Sequence, residues 1–223
     1  MQQFVGIQAV LFDLDGTLVD SAPDLAGAAN DLRAERGMAP LPYEALRPMV
    51  GSGARGMVGV AFGVQPTDAR FAGLRDAFLD LYAERLLRST DLFEAIRPVL
   101  DRLDAAGRRW GIVTNKATRF TAPIVAGLGL APRAAVVIAG DTTPFAKPHP
   151  EPLLEAARRL GIAPSACAYV GDDMRDVLAG RAAGMVTLAA SWGYLGLDEP
   201  VADWGADHVL SSPVQLLQWL KLA

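Results

Sequence analysis

The sequence has few residues of the kinds that build zinc sites and disulfides. It contains one cysteine, Cys167, and two histidines among 223 residues. A single cysteine cannot form an intrachain disulfide, and its apolar neighbours predict a small side chain in the core. No cluster of histidine and cysteine competes for zinc. A metal site in this chain would therefore use oxygen ligands.

Long apolar runs and basic blocks are also missing. No window approaches the ~20 apolar residues that a membrane span requires, and the N-terminus has no basic region followed by a long apolar stretch. The formal net charge is −4 and the arginines are scattered, which offers little to a nucleic-acid backbone. We therefore expect a cytoplasmic protein without membrane or nucleic-acid partners. Either a monomer or a homodimer is compatible with this composition.

Apolar residues make up 51% of the chain, enough to bury one substantial core and leave room for a smaller inserted domain. From residue 92 onward, buried strands alternate with helices, which is typical of βαβ units and a mostly parallel sheet. The predicted strands lie at 10–12, 110–114, 135–138, 167–170, 186–189 and 208–210. The predicted fold class is therefore α/β.

Residues 19–91 interrupt this pattern. Their apolar positions recur at helical spacing, as between Leu25 and Leu32, and prolines and glycines mark the connections. This spacing predicts an all-helical insert after the first strand. The predicted domains are an α/β core at 1–18 and 92–223 and a helical domain at 19–91.

The segment at 13–18, with the sequence DLDGTL, places two carboxylates at the exit of the first predicted strand. That edge of a parallel sheet is where α/β enzymes keep their chemistry. Asp13 and Asp15 suit either a nucleophile with an acid/base or a cation cage, and Gly16 allows the backbone to turn sharply. The ordinary alternative is an Asx-type turn that closes the strand. The residues at the ends of the other strands help to decide between a functional site and a turn.

Because the carboxyl ends of parallel strands share one edge, residues that follow several strands converge there. The set consists of Thr114, Asn115, Lys147, Asp172 and Asp173. These residue types suit work on a phosphate monoester. Asp13 could attack phosphorus and form an aspartyl-phosphate, and Asp15 could protonate the departing alkoxide and later deprotonate water. We expect Thr114, Asn115 and Gly16 to bind the phosphate and Lys147 to offset its charge.

A carboxylate opposite Asp13 predicts a cation site. Asp13 and Asp172, together with a backbone carbonyl and several waters, match Mg²⁺, which keeps part of its hydration shell and binds phosphate. A metal also eases the approach of an anionic nucleophile to an anionic phosphate. Mg²⁺ is therefore the predicted cofactor.

Four motifs in this order resemble those of the haloacid dehalogenase superfamily, in its phosphatase branch. They are DLDGTL at 13–18, VTN at 113–115, Lys147-Pro148, and GDD at 171–173 with Asp176. The likeness spans essentially the whole chain and implies a Rossmann-like core with an inserted helical cap of the type called C1.

The resemblance also implies roles for individual residues. Asp13 would be the nucleophile and Asp15 the general acid/base, with magnesium held by the Asp13 side chain, the Asp15 carbonyl and Asp172. Related sequences use the positions of Asp173 and Asp176 either beside the metal or as supports for its ligands. We rank both below Asp172 and include Asp173 in the candidate metal set.

Within the family, the chain is similar to phosphoglycolate phosphatases in the segments 20–25 and 50–53. It is also similar to N-acetylmuramic acid 6-phosphate phosphatases in the segments 53–58, 114–116 and 204–207. Both substrates carry a carboxylate besides the phosphate, and 2-phosphoglycolate is the predicted substrate. Alternatives of other classes are a β-phosphoglucomutase-like phosphomutase, a dehalogenase and a phosphate-binding module without activity.

Three further features have both a functional and an ordinary interpretation. Arg55 could reach over the site from the insert and bind a substrate carboxylate, or it could be a solvated surface arginine. His149 could be a general base, although it lies beside a predicted helix start. Trp192 and Tyr194 could line the mouth of the site, but packing of the core or cap is the favoured interpretation.

Overall fold

In the computed structural model of this protein, residues 6–196 and 199–222 are described. The first five positions of the predicted core segment 1–18 lie outside the described residues, as do 197–198 and 223. The strands of the described chain are β1 (Ala9–Phe12), β2 (Val19–Asp20), β3 (Asp91–Leu92), β4 (Arg109–Val113), β5 (Val137–Ile138), β6 (Cys167–Gly171), β7 (Val186–Ala190) and β8 (His208–Leu210).

The main sheet has the strand order β5-β4-β1-β6-β7-β8, and each neighbouring pair is parallel. β1 lies between β4 and β6, so the loop that follows it opens at the middle of the sheet edge. Because the chain goes from β1 to β4 on one side and from β6 to β7 on the other, the edge at β1 and β6 holds the crevice in which α/β proteins bind ligands. The α/β fold class with a parallel sheet is confirmed.

Helices cover both faces of the sheet. The helices of the described chain are α1 (Ala22–Ala34), α2 (Tyr43–Leu46), α3 (Gly53–Phe62), α4 (Phe71–Arg85), α5 (Ile96–Ala105), α6 (Thr118–Gly127), α7 (Glu151–Leu160), α8 (Met174–Ala182) and α9 (Val214–Trp219), and those from α5 onward flank the sheet. Alternate side chains of a strand point to opposite faces. Val10 and Phe12 of β1 accordingly pack in the cluster that contains α5, α6 and α9, whereas Ala9 and Leu11 pack in the cluster with α7 and α8.

The first four helices form a separate layer above the carboxyl edge of the sheet, with its own apolar cluster. Leu32, Met57, Phe78 and Tyr82 are buried there, and Phe120 of the core joins them. We call this layer the cap. Its helical content was predicted, and the domain boundaries at 18/19 and 91/92 stay a prediction.

The two chain segments that join cap and core pair with each other, since β2 and β3 form a two-stranded antiparallel sheet. The buried Asp24 carboxylate accepts the backbone N–H groups of Ser89 and Thr90, with N···O distances of 3.0 Å and 2.9 Å. The sequence interpretation treated this stretch as free of strands. Two-residue strands carry too little alternation for periodicity to reveal them.

The predicted strand at 135–138 is shorter than expected, because β5 covers Val137–Ile138 alone. The Ala135 N–H still donates to the Trp110 carbonyl at 2.8 Å, so the backbone follows β4 before the regular ladder begins. In the part of the chain that is described, no helix combines the length and apolar character needed to cross a membrane.

Candidate active site

Asp13 follows β1 directly and stands at the middle of the sheet edge. Its backbone N–H donates to the Val170 carbonyl at 2.9 Å, which continues the pairing with β6 and fixes where the side chain leaves the sheet. The carboxylate is partly exposed, with 14% of the side chain accessible. The buried strand β1 thus ends at a residue whose carboxylate reaches the crevice.

Lys147 is the buried cation beside Asp13. Its Nζ lies 2.8 Å from Asp13 Oδ1, 2.7 Å from Asp176 Oδ1 and 2.8 Å from the Tyr169 hydroxyl oxygen. Burial alone would lower the pKa of the ammonium, but the charges of Asp13 and Asp176 outweigh it and raise the pKa of Lys147 to about 12. Lys147 is therefore a permanent positive charge against the Asp13 carboxylate.

Asp172 is held from two sides. The Thr17 hydroxyl donates to Oδ1 at 2.9 Å, and the backbone N–H of Tyr194 donates to Oδ2 at 2.8 Å. Burial, followed by the charges of Asp13 and Asp176, raises the pKa of this carboxyl well above its usual range. Gly16, at φ +83°, passes so close that a Cβ atom would lie 2.0 Å from Asp172 Oδ2. Gly16 therefore supports the position of Asp172.

Three carboxylates lie close enough to share a cation. Asp13, Asp172 and Asp176 each offer an oxygen within 4.8 Å of the others. Lys147 offsets one of these charges, and the pKa of Asp172 is raised first by burial and then by the charges of Asp13 and Asp176. A divalent cation with a preference for oxygen ligands would offset the negative charge that remains. The residues present fit a metal such as magnesium.

The carboxylate of Asp173, a predicted metal ligand, is not brought into this group. It begins α8, accepts the Arg175 backbone N–H at 2.8 Å, and pairs with the Arg175 guanidinium at 2.7 Å. Although burial opposes it, the guanidinium lowers the pKa of Asp173. Asp176 contributes to the same capping box, because its Oδ2 accepts the Asp173 N–H at 3.2 Å. In this arrangement Asp173 orders the start of α8, and Asp176 takes the place beside Asp13.

Asp15 faces away from this cluster and toward the cap. Its two oxygens lie 2.9 Å and 3.1 Å from the Nζ of Lys116, and the Ser21 hydroxyl also donates to it. The Lys116 ammonium lies 4.7 Å from the centre of the Tyr82 ring on α4. Burial works against this charge, but Asp15 and Tyr82 raise the pKa of Lys116 above its ordinary value. The predicted acid/base is therefore paired with a buried cation in this structure.

Thr114 and Asn115 follow β4, where they meet the loop that carries Lys147. The Asn115 side chain donates to the Lys147 carbonyl and accepts the Lys147 N–H, both at 2.9 Å. The Thr114 hydroxyl accepts the Lys116 N–H at 3.1 Å. The side chain of Asn115 is thus used to hold Lys147, and its backbone N–H stays the predicted phosphate donor.

These residues form the floor of one cavity of about 300 Å³ between core and cap. The floor contains Asp13, Asp15, Thr114, Asn115, Lys147 and Asp172. The walls are mainly apolar and include Leu25, Val50, Phe78, Tyr82 and Phe120, with Lys116, Arg119 and Arg175 as further cations. The volume matches the lower range of small-molecule sites.

The remaining candidates lie elsewhere. Arg55 is exposed on α3 and lines a neighbouring cavity with Arg175 and Trp204, so the structure does not bring it to the cavity that holds Asp13. His149 is exposed, accepts the Glu151 N–H at 3.1 Å and stacks on Phe145, as expected for a residue at a helix start. The Trp192 indole donates to the Thr17 carbonyl at 3.1 Å.

Sequence reasoning gave no role of their own to Lys116 and Tyr169, and it favoured packing of the core or cap for Tyr194. The Tyr194 hydroxyl accepts the Ser21 N–H at 2.8 Å and lies 3.0 Å from Asp20 Oδ1, so it ties the end of β2 to the core. Lys116 could have been found from its position directly after Thr114 and Asn115. Tyr169 gives no such signal, because within a buried strand it reads as core packing.

Comparisons with known proteins agree with this geometry. The family model described as haloacid dehalogenase-like hydrolase matches residues 7–184. A phosphoglycolate phosphatase of Xanthomonas campestris pv. campestris (strain 8004) is 49% identical over 210 residues, covering 94% of each chain. An N-acetylmuramic acid 6-phosphate phosphatase of Pseudomonas aeruginosa PAO1 is 41% identical over 217 residues, covering 97% of this chain and 96% of the other.

Among solved structures, one described as a predicted phosphoglycolate phosphatase from Haemophilus somnus 129PT has a TM-score of 0.84 and 27% identity. The match covers 95% of this chain and 97% of that one. The similarity therefore includes both the sheet and the helical layer above it.

Proposed function

The chain belongs to the haloacid dehalogenase-like hydrolases, and on that premise we propose a magnesium-dependent phosphatase that hydrolyses 2-phosphoglycolate through a phosphorylated Asp13. One observation carries this proposal: the Asp13 carboxylate opens into the cavity while Lys147 Nζ holds one of its oxygens at 2.8 Å. A carboxylate fixed at the end of a central strand is positioned to attack phosphorus.

In the first step an Asp13 oxygen forms a bond to phosphorus, and the bond from phosphorus to the ester oxygen breaks. Asp15 gives its proton to that departing oxygen, so that glycolate leaves as the alcohol. Lys147 and the groups of Thr114 and Asn115 lie on the floor of the cavity, where they would bind the phosphoryl oxygens. The alcohol leaves before water enters.

In the second step a water oxygen attacks the phosphorus of the phosphorylated Asp13. Asp15 takes a proton from that water, the bond from phosphorus to the Asp13 oxygen breaks, and phosphate leaves. Asp13 returns to its carboxylate form. Magnesium held by Asp13, Asp172 and the Asp15 carbonyl, with Asp176 beside them, would supply positive charge where negative charge accumulates.

A second candidate substrate is N-acetylmuramic acid 6-phosphate. The relative of that activity covers nearly the whole chain, and the apolar walls of Leu25, Val50, Phe78 and Phe120 provide contacts that a two-carbon acid needs less. Both substrates pair a phosphate ester with a carboxylate. The two candidates therefore share the chemistry at Asp13 and differ in how they fill the cap side of the cavity.

The test measures phosphate release with magnesium from 2-phosphoglycolate, N-acetylmuramic acid 6-phosphate and β-glucose 1-phosphate. We expect kcat/KM for 2-phosphoglycolate to exceed the others about a hundredfold, which is about 2.7 kcal/mol of transition-state discrimination. The reverse preference would assign the muramic acid substrate. Conversion of β-glucose 1-phosphate to the 6-phosphate without release would indicate a mutase and contradict the proposal.

A further inference from the structure

Four cations line the cavity, and they differ in what already neutralises them. Lys147 pairs with Asp13 and Asp176, and Arg175 pairs with Asp173, so carboxylates of the core already neutralise both cations. Arg119 is exposed and lies 4.5 Å from the centre of the Phe120 ring. Lys116 is the cation that contacts the predicted acid/base itself.

The Lys116 ammonium is placed inside the cavity where it can bind a carboxylate. Its side chain is 9% exposed, and its Nζ lies 2.9 Å and 3.1 Å from the two oxygens of Asp15. The Tyr82 ring of the cap covers it at 4.7 Å. A lysine in this position has three donors and can exchange one carboxylate for another without moving its backbone.

The proposed reaction places a second carboxylate next to that ammonium. The ester oxygen of the substrate must lie beside Asp15 to receive its proton, and in 2-phosphoglycolate a single methylene carbon separates that oxygen from the carboxylate. Once Asp15 has given up its proton, it and the substrate carboxylate are two neighbouring anions, and a cation beside both would lower their repulsion. The Lys116 ammonium, which contacts both Asp15 oxygens, is the cation available there.

We propose that Lys116 is the residue that selects carboxylate-bearing substrates: its ammonium, held by Asp15 and the Tyr82 ring before substrate binds, binds the substrate carboxylate beside the ester oxygen. This inference rests on the proposed phosphatase function and deepens it. The substrate carboxylate is then recognised from the core side of the cavity, by the residue that follows Thr114 and Asn115. The apolar cap walls then select the size and shape of the remainder.

The test uses pairs of substrates that differ in the carboxylate. Ethyl phosphate replaces the carboxylate of 2-phosphoglycolate by a methyl group, and N-acetylglucosamine 6-phosphate lacks the lactyl acid of N-acetylmuramic acid 6-phosphate. For each pair, the ratio of the two kcat/KM values is compared between wild type and Lys116→Met. Because any disturbance of Asp15 lowers both members of a pair together, the ratio isolates recognition of the carboxylate.

We expect Lys116→Met to lower the ratio for the preferred pair by about 30-fold or more, equivalent to about 2 kcal/mol. Lys116→Arg, which keeps the charge, should retain most of the preference. The matched control Arg119→Met removes a cation from the same cavity and should change the ratio by less than about threefold. A ratio that survives Lys116→Met, or that collapses in Arg119→Met instead, overturns the assignment.

A binding experiment separates this assignment from the proposed function. In the Asp13→Asn background, calorimetry compares the affinities for 2-phosphoglycolate and ethyl phosphate, with and without Lys116→Met. A wild-type enzyme that releases no phosphate, combined with a carboxylate preference that Lys116→Met removes, would refute the function and support Lys116. If the wild-type enzyme releases phosphate and the carboxylate preference is the same with and without Lys116→Met, the function is supported and the role of Lys116 is refuted.

Discussion

The core edge and the cap face of the cavity are built in opposite ways. At the core edge, which comprises Asp13, Lys147, Asp172 and Asp176, each charged group contacts other charged or polar groups of the protein. The cap face consists of apolar side chains such as Leu25, Val50 and Phe78. Fixed polar groups suit chemistry on a phosphoryl group that every substrate shares, whereas an apolar surface is more easily reshaped.

Lys147 and Lys116 express this difference most clearly. Both ammonium groups are buried beside an aspartate. Lys147 contacts core groups on every side, including Tyr169, whereas Lys116 joins one core carboxylate to a ring of the cap. We therefore expect changes at the core edge to abolish turnover and changes on the cap side to alter which substrates are used.

Asp13→Asn should have the largest effect. Loss of the nucleophile should lower kcat by about a thousandfold or more, about 4 kcal/mol in activation free energy. The fold should be retained, because removing one charge relieves repulsion among Asp13, Asp172 and Asp176. Phosphate release and thermal unfolding measure the two effects, with the exposed Asp76→Asn as control. Residual activity within tenfold of wild type would contradict the nucleophile assignment.

Lys147→Ala should have the second largest effect. It removes the cation between Asp13 and Asp176, and breaking a buried ion pair costs about 3–5 kcal/mol of unfolding free energy. We expect kcat/KM to fall at least about a hundredfold, with weaker inhibition by inorganic phosphate. Denaturant unfolding and inhibition assays test both. An unchanged rate with unchanged phosphate inhibition would remove Lys147 from the phosphate site.

Magnesium should stabilise the protein in a pH-dependent way. In the metal-free protein, burial and the charges of Asp13 and Asp176 raise the pKa of Asp172 well above 3.8. The folded state then holds this proton more tightly than the unfolded state, so the free energy of unfolding falls as pH rises through the raised pKa. Burial also raises the pKa of the neighbouring Asp176 to about 6, so this carboxyl ionises between pH 5 and pH 8. Magnesium offsets ionised carboxylates, so the stabilisation should be larger at about pH 8 than at about pH 5.

Thermal unfolding with and without magnesium at both pH values measures this difference. At a hundred times its dissociation constant the ion should contribute about 2.7 kcal/mol. Calcium provides a control for a cation that is larger and less demanding in its geometry. Equal stabilisation at the two pH values would contradict a metal site built from these buried carboxylates.

Arg47→Met should have the smallest effect. Arg47, on the cap, donates to the Gly193 carbonyl at 3.2 Å and lies 5.1 Å from the centre of the Tyr194 ring on the core. Loss of this contact costs about 0.5–1 kcal/mol, so KM should rise up to about fivefold while kcat changes little. Steady-state kinetics beside Arg75→Met, an exposed control on α4, measure it. A large loss of kcat would place Arg47 nearer the chemistry.

The difference between core and cap also explains what the sequence could predict. Val10, Phe12 and Asp13 were predictable, because a strand buried on both faces has a continuous apolar run and ends where parallel strands converge. Lys116 and Tyr169 owe their positions to contacts with residues far away in the chain, at Asp15, Tyr82 and Lys147. The position of Lys116 after Thr114 and Asn115 marks it as a candidate, but no local pattern encodes the contacts of either residue.

The cap shows the same limit. Its helices follow from apolar spacing, but the pairing of β2 with β3 joins segments far apart in the chain, and only the packed structure shows that Arg55 lines the neighbouring cavity. Substitutions are needed to test the predicted roles of the site residues, which are Asp13, Asp15, Thr114, Asn115, Lys147 and Asp172. The domain boundaries also stay a prediction. By contrast, the alternation of strands and helices predicted the α/β fold, and four motifs placed at strand ends indicated the family.

The most direct test of the account is the stereochemical course at phosphorus. Hydrolysis of an isotopically chiral phosphate ester by the wild-type enzyme with magnesium would be followed by analysis of the configuration of the released phosphate. Two in-line displacements, first by Asp13 and then by water, predict overall retention of configuration. Inversion would mean that water attacks the substrate directly and would contradict a phosphorylated Asp13.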